Sequence, residues 1–445
     1  ASVLGDVPES WKEDDTNGSY LYIGNKTNTI GEGAFRNANE DVSNLSGTIL
    51  LPSTLNEVGA GAFVRTRISS VASQEGFKEI QSQAFLECQS IKTVVLPASL
   101  EFVGQKAFYK NDELQRLKIG NNETRVRKTI LDTEAFRVCG ATSAKQGVID
   151  LGYTVDRIGP SCFANDAGAG GDWIETLNSS AREYGISSFR NQYNLTNLNL
   201  TKDALTIGQN AFELCLGLTN VVLPDPNNVY DRAFRFCNNI TGIEIGSEEG
   251  AIDGNLWTNS FRDIGTDATN GTLKINKSIA NVDDSAFYGD TNRRWIQSAN
   301  LDCRTIGADA FRYQSNMTDL TFGPNVKYIG VGNTDATATS FQECLGLTGV
   351  RIPDPYYIRY YSFNYCTGIT GVYIGNDDKD SKGIIGDSSF RRIGPPDNNL
   401  VRPRVDGHVY VGSSIDKIEQ YAFYATNNSE NYRYSWIGSA ELNCR

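Results

Sequence analysis

Apolar and polar positions alternate in short bursts along this chain. In Leu218-Thr219-Asn220-Val221-Val222-Leu223 the period of two predicts a strand with one buried face. Pro or Gly closes the bursts, as at Pro97, Pro224, Gly246, Pro353 and Gly375. An irregular stretch follows, and then a phrase that returns throughout: a β-branched residue, often Gly, two variable residues, a small residue and Phe. It first reads Ile30-Gly31-Glu32-Gly33-Ala34-Phe35 and recurs as Ile207-Gly208-Gln209-Asn210-Ala211-Phe212 and Ile306-Gly307-Ala308-Asp309-Ala310-Phe311. Its sixteen phenylalanines are Phe35, Phe63, Phe85, Phe108, Phe136, Phe163, Phe189, Phe212, Phe234, Phe261, Phe287, Phe311, Phe341, Phe363, Phe390 and Phe423, spaced 22 to 33 residues apart. A period of that size predicts the stacked coils of a solenoid. The bursts should pair coil to coil into a parallel sheet with neighbours ~4.8 Å apart. The phrase should form a turn that packs Phe between coils.

A longer period lies above the short one. Cys215-Leu216-Gly217-Leu218-Thr219 returns as Cys344-Leu345-Gly346-Leu347-Thr348, and Pro224-Asp225-Pro226 as Pro353-Asp354-Pro355. Trp173-Ile174, Trp295-Ile296 and Trp436-Ile437 hold corresponding places, and Leu301-Asp302-Cys303-Arg304 returns as Leu442-Asn443-Cys444-Arg445. The unit is five coils, giving super-repeats over about 85–211, 212–340 and 341–445. Residues 1–19 stand outside the pattern as an N-terminal leader or cap, and 20–445 read as a single solenoid.

This grammar resembles the BspA-type leucine-rich repeat family over about residues 20–445. The best family-like units are Ile80-Gln81-Ser82-Gln83-Ala84-Phe85-Leu86-Glu87-Cys88 with Val94-Val95-Leu96-Pro97, and Ser340-Phe341-Gln342-Glu343-Cys344 with Val350-Arg351-Ile352-Pro353. The resemblance implies an α/β-type leucine-rich-repeat solenoid of about 16 coils, mostly β and loop with little helix. It further implies a protein displayed outside the cell or at a microbial surface that binds host or neighbouring-cell proteins.

Composition narrows the chemistry. The formal charge is −12 and the sequence pI about 4.8, a poor balance for nucleic acid. No apolar run approaches the ~20 residues of a membrane span. Twelve Asn-X-Ser/Thr sequons, at Asn17, Asn25, Asn44, Asn122, Asn178, Asn194, Asn199, Asn239, Asn270, Asn276, Asn316 and Asn427, are candidates for N-glycosylation on export; Asn, Ser and Thr are also ordinary turn residues in a solenoid.

The one histidine, His408, lies beside a predicted strand and reads as a surface residue. No nucleophile elbow, P-loop or His-Glu-x-x-His motif occurs, so the expectation is a non-catalytic protein without cofactor or metal. Asn376-Asp377-Asp378-Lys379-Asp380 is acidic and reads as a solvated loop before a calcium site. Of nine cysteines, Cys88, Cys139, Cys215, Cys237, Cys344 and Cys366 fall three after the repeat Phe, which marks a ladder position. Cys215/Cys237 and Cys344/Cys366 occupy equivalent places on adjacent coils, ~5 Å apart at Cα and within disulfide range; buried free thiols are the other state.

Two features point outward. Strand positions facing away from the core are Val95, Lys118, Asp150, Asn199, Val222, Glu244, Lys274, Thr321, Arg351, Tyr373 and Tyr410, a chemically mixed row. Tyr356, Tyr357, Tyr360, Tyr361 and Tyr365 form a cluster whose counterpart in the preceding super-repeat is Asn227-Asn228-Val229-Tyr230, so the coil does not require the tyrosines; this is the composition of a recognition surface, and packing on neighbouring coils is the other reading. The expected function is recognition of a protein or glycan ligand and adhesion. The alternative is a structural subunit whose copies stack end to end into a filament or layer, residues 1–19 of one covering 435–444 of the next.

Overall fold

The computed structural model describes residues 20–37, 45–124, 126–140, 146–166, 172–267, 270–290, 292–332, 339–377, 381–394, 407–424 and 437–444. The expected leader or cap, Asn17, Asn44, Asn427, Trp436 and most of the acidic loop lie outside the described residues. The chain divides into two compact units, 1–218 and 219–445.

Each unit is a parallel β-solenoid. In the first, the alternating bursts form an eight-stranded parallel sheet that includes Thr93–Leu96, Arg116–Ile119, Gly147–Leu151, Ile174–Ser179 and Asn197–Leu200. In the second they form a five-stranded sheet from Asn220–Leu223 to Asp319–Phe322 and a four-stranded sheet from Gly349–Ile352 to Ile437–Leu442. Burial follows the alternation: in Arg116–Ile119, Leu117 and Ile119 are buried while Arg116 and Lys118 are exposed.

The phrase is more than a turn. Its β-branched residue and the residue before it form a second, short strand, as in Glu79–Ile80 and Phe102–Val103. Eight of these pair in parallel in each unit. Ile80 and Val103 are fully buried, so each coil closes its core from two sides.

The expected α/β character is corrected: no helix occurs among the described residues. The reason lies after the short strand, where most coils take two tight bends on left-handed residues. Gln83 (φ 59°) and Glu87 (φ 57°) make them in one coil, Lys106 and Lys110 (both φ 55°) in the next. A right-handed helix cannot run through such residues, each costing roughly 1–2 kcal/mol outside glycine. The bends are held by coil-to-coil backbone bonds: Phe63 N–H donates to Ala84 O, Phe85 to Ala107 and Phe108 to Ala135, each at 2.7 Å.

The bends bring the repeat phenylalanines into register. From Phe35 to Phe212 in the first unit, successive ring centroids lie 4.9–5.3 Å apart with planes within 12°. From Phe234 to Phe423 in the second they lie 4.8–5.3 Å apart within 11°. Parallel rings at this separation fall in the offset-stacked range that aromatic pairs prefer, and the ~4.8 Å strand spacing sets their repeat.

Three residues beyond Phe, the side chain turns back to the preceding coil's Phe carbonyl. The thiols of Cys88, Cys344 and Cys366 donate to the carbonyls of Phe63, Phe311 and Phe341 at 2.9, 3.2 and 3.0 Å. Gln192 and Gln314 do the same with their amides to Phe163 and Phe287. The recurring Cys is therefore a buried donor to the neighbouring turn. Burial pushes the Cys88 thiol up to about 11 and the Cys366 thiol up to about 12.

Candidate functional site

Outward residues of the long strands stack into ladders because parallel strands align equivalent positions. In the first unit the ladder runs Val95, Lys118, Asp150, Asn178, Asn199. Asn199 donates to Asn178 Oδ1 at 2.8 Å, and Asn178 to Asp150 Oδ1 at 2.7 Å. In the second unit the five-stranded sheet aligns Val222, Glu244, Lys274, Asn300 and Thr321. Lys274 Nζ pairs with Glu244 at 2.9 Å, and hydrogen bonds from Lys274 and Asn276 hold the Glu244 carboxyl below its usual range.

The four-stranded sheet aligns Arg351, Tyr373, Tyr410 and Glu441. The Tyr373 ring lies 6.3 Å from Tyr410 and 5.6 Å from His408. Tyr373 is 44% exposed. Tyr410 O–H donates to Asp377 Oδ1 at 2.9 Å, and that bond raises its pKa. His408 Nδ1 is 2.8 Å from Ser439 Oγ. The group is an outward-facing aromatic patch, with Tyr373 exposed and Tyr410 and His408 half-buried, flanked by a guanidinium at one side and carboxylates at the other.

Every outward residue read from the sequence thus joins a ladder, but Asn178, Asn300 and Glu441 were missed. They sit on six-residue strands whose pairing with the preceding strand shifts register, between Gly147 and Val148, Gly271 and Thr272, and Gly407 and His408. The bulge breaks the alternation. A readable signal was their constant offset, each five residues beyond Trp173, Trp295 or Trp436.

The tyrosine cluster lies elsewhere. Tyr357 is on the short strand Tyr357–Ile358, in a different sheet from Tyr373 and Tyr410. Tyr356 is exposed and meets Tyr328 edge-on at 5.9 Å, with Lys327 Nζ 5.4 Å from its ring centroid. Tyr360 and Tyr361 touch at 4.2 Å on the following bend, where Arg391 donates to the Tyr361 hydroxyl at 2.9 Å. Arg392 lies 4.7 Å from the Tyr365 centroid. The two aromatic groups are separate surfaces.

Cys344 and Cys366 are buried free thiols, each spent on a Phe carbonyl. Cys215 and Cys237 are also buried. Among the sequons, Asn25, Asn122, Asn199, Asn239 and Asn270 are exposed, while Asn178, Asn194 and Asn316 are half-buried. Asn276 is buried and donates to the Gly246 carbonyl at 2.8 Å, a place with no exit for a glycan. No group of three metal-ligating side chains and no helix long and apolar enough to cross a membrane occurs among the described residues.

Stacked two-strand coils, a Phe ladder and outward ladders of changing chemistry define a parallel β-solenoid repeat protein. The BspA type leucine rich repeat region (6 copies) matches residues 13–143, 129–262, 257–370 and 334–393, and the chain belongs to that family. A leucine-rich repeat protein from Bacteroides ovatus is similar at 19% identity and TM-score 0.46, over 86% of this chain and 82% of that one. A leucine rich cell surface protein from Faecalibacterium prausnitzii is similar at 17% identity and TM-score 0.30, over 84% and 80%. The pneumococcal vaccine antigen PcpA is similar at 12% identity and TM-score 0.30, over 89% and 80%. No curated protein matches the chain in sequence.

Proposed function

We propose that the chain is a non-catalytic protein displayed outside the cell, whose outward ladders recognise a protein or glycan partner and so mediate adhesion. Membership of the BspA-type family supports the class. The observation that carries the reading is a contrast within each coil. Inward positions repeat, because the core demands the same apolar residues each time. Outward positions change from coil to coil. Exposed Arg351 and Tyr373 with half-buried His408 and Tyr410 form an aromatic and charged group on the outward face, and such groups supply binding energy at interfaces. On an exported chain the exposed Asn122, Asn239 and Asn270 are the natural glycan acceptors.

The test is binding of the labelled chain to intact host and bacterial cells by flow cytometry, before and after protease or glycosidase treatment. Tyr373→Ser with Tyr410→Ser should abolish binding that the parent shows. Equal binding by parent and variant would overturn the site. Long unbranched filaments under negative stain would replace adhesion with the structural reading, in which copies stack end to end.

A further inference from the structure

The short-strand sheet of the second unit presents a different surface from the ladders just described. Its outward row is aligned by strand register: Asn228 beside Asn255, Asn255 beside Asn281, Asn281 beside Thr305, and Thr305 beside Tyr328. A groove of about 550 Å³ opens along this row, lined by Asn255, Trp257, Asn281, Arg304, Thr305 and Tyr328 among others.

Trp257 is the residue that the fold does not explain. It occupies the phrase position where Gly208, Gly307 and Gly330 stand in other coils. It is 41% exposed, yet it is held in place. Its ring stacks on Tyr230 at 5.9 Å and 10°, and its indole N–H donates to Asn228 Oδ1 at 2.9 Å. The corresponding residues in the next two coils are Asp283 and then Gly307. The step down from indole to carboxylate to no side chain opens the groove on the side away from Tyr230.

The polar groups along the floor are also ordered. Asn255 donates to the Asp253 carbonyl at 2.8 Å, and Asn281 donates to Asn255 Oδ1 at 2.7 Å. Asn281 is exposed, and this bond leaves its own carboxamide oxygen as an acceptor. Arg304 is exposed and makes no ion pair among the described residues, so its guanidinium offers several donors. A pre-set aromatic wall with a few placed polar groups is the make-up of a ligand site.

We propose that this groove binds an extended, β-linked glycan. The flat indole meets the apolar C–H face of a pyranose ring, while the amides, Thr305 and Arg304 exchange hydrogen bonds with its hydroxyls. A single guanidinium balanced by nearby Asp283 does not suit a polyanion, and the polar floor does not suit an apolar peptide. The rungs repeat along a line at the ~4.8 Å strand spacing, which favours a straight chain over a helically coiled one. This site is independent of the long-sheet aromatic patch, so either can fail without the other.

The experiment is titration of the full chain with cellohexaose, N-acetylated chitohexaose and maltohexaose, read by calorimetry and by tryptophan fluorescence. At least one of the two β-linked hexasaccharides should bind and change the emission, and α-linked maltohexaose should bind more weakly. Trp257→Ala should weaken binding by about tenfold or more, as truncation of an aromatic hot spot does. Asn281→Ala, which leaves the indole in place, should also weaken it, and Arg157→Ala, on a short strand of the first unit, should leave it unchanged. The proposal is overturned if neither β-linked sugar binds, if maltohexaose binds as tightly, or if the Trp257 and Asn281 variants both bind like the parent.

Discussion

In several bends a Phe carbonyl faces the next coil, where a side-chain donor three residues beyond that coil's own Phe meets it, as Cys88, Cys139, Gln192, Gln314, Cys344 and Cys366 do. Cysteine fills the place because it is small, apolar enough for the core and still able to donate. Cys366→Ala removes the 3.0 Å bond to Phe341 O and leaves a small void, but the backbone N–H of Cys344 still serves that carbonyl. The expected cost is therefore about 1–2 kcal/mol, measurable as a lower urea midpoint; an unchanged midpoint would remove the thiol from the hydrogen-bond account. The same burial sets a pH dependence. Desolvation pushes Cys88 up to about 11 and Cys139, Cys303 and Cys366 up to about 12, whereas an unfolded thiol ionises near ~8.5. Below that pH both states keep the proton and the stabilisation is complete. As pH rises from about 8.5 toward 11–12 only the unfolded chain ionises, so stability falls. Urea midpoints should decline steadily above about pH 8.5, and Cys139→Ala should make that decline shallower. A flat alkaline limb would contradict the buried-thiol account.

At the scale of elements, the bulged coils show how a large side chain is fitted into a thin solenoid. Trp173 and Trp295 are buried, each beneath glycines of the preceding coil. A Cβ on Gly271 would lie 2.1 Å from the Trp295 ring and 2.7 Å from its carbonyl oxygen. Gly349 also begins a long strand, but a Cβ there would meet nothing closer than 3.7 Å. Gly271→Ala should therefore cost about 1–3 kcal/mol or more through overpacking, while Gly349→Ala should change stability by no more than about 0.5 kcal/mol. Thermal melts of the two variants give the comparison, and similar melting temperatures would mean that the indole yields freely. These coils also mark where the sequence stops being readable. Long strands of four residues carry two full alternations and announce themselves. Most of the short strands have only two residues, one of them buried, too few to show a period, so the second sheet is not legible in the sequence and its phrase reads as turn alone. Asn178 and Asn300 were hidden by the bulge beneath each Trp. Trp257 was visible as a departure from the Gly of its phrase, but its groove depends on Asp283 and Gly307 in the following coils, which only register brings beside it.

At the scale of the whole molecule, repetition decides what is legible and how the chain should unfold. Core residues recur because every coil solves the same packing problem, and that redundancy is why the solenoid and its Phe ladder are legible in the sequence alone. Ligand choice is written in residues that differ from coil to coil, where repetition gives no help. Energetics follow the same division. Within a unit each coil touches its neighbours, so stability is a sum of coil and interface terms. Phe287 is fully buried between Phe261 and Phe311; Phe35 is 40% exposed and stacks on Phe63. Phe287→Ala removes two ring contacts and opens a void, for an expected ~3–5 kcal/mol. Phe35→Ala removes far less buried surface and should cost under about 2 kcal/mol. The interior change should also loosen the coupling between the coils on either side, so that one cooperative transition broadens or splits. Hydrogen exchange would then show faster exchange in the strands near Phe287, with strands of the first unit such as Thr93–Leu96 still protected. Uniform loss of protection along the chain would mean that it unfolds as one block, and that the ladder transmits a local defect further than nearest-neighbour packing allows.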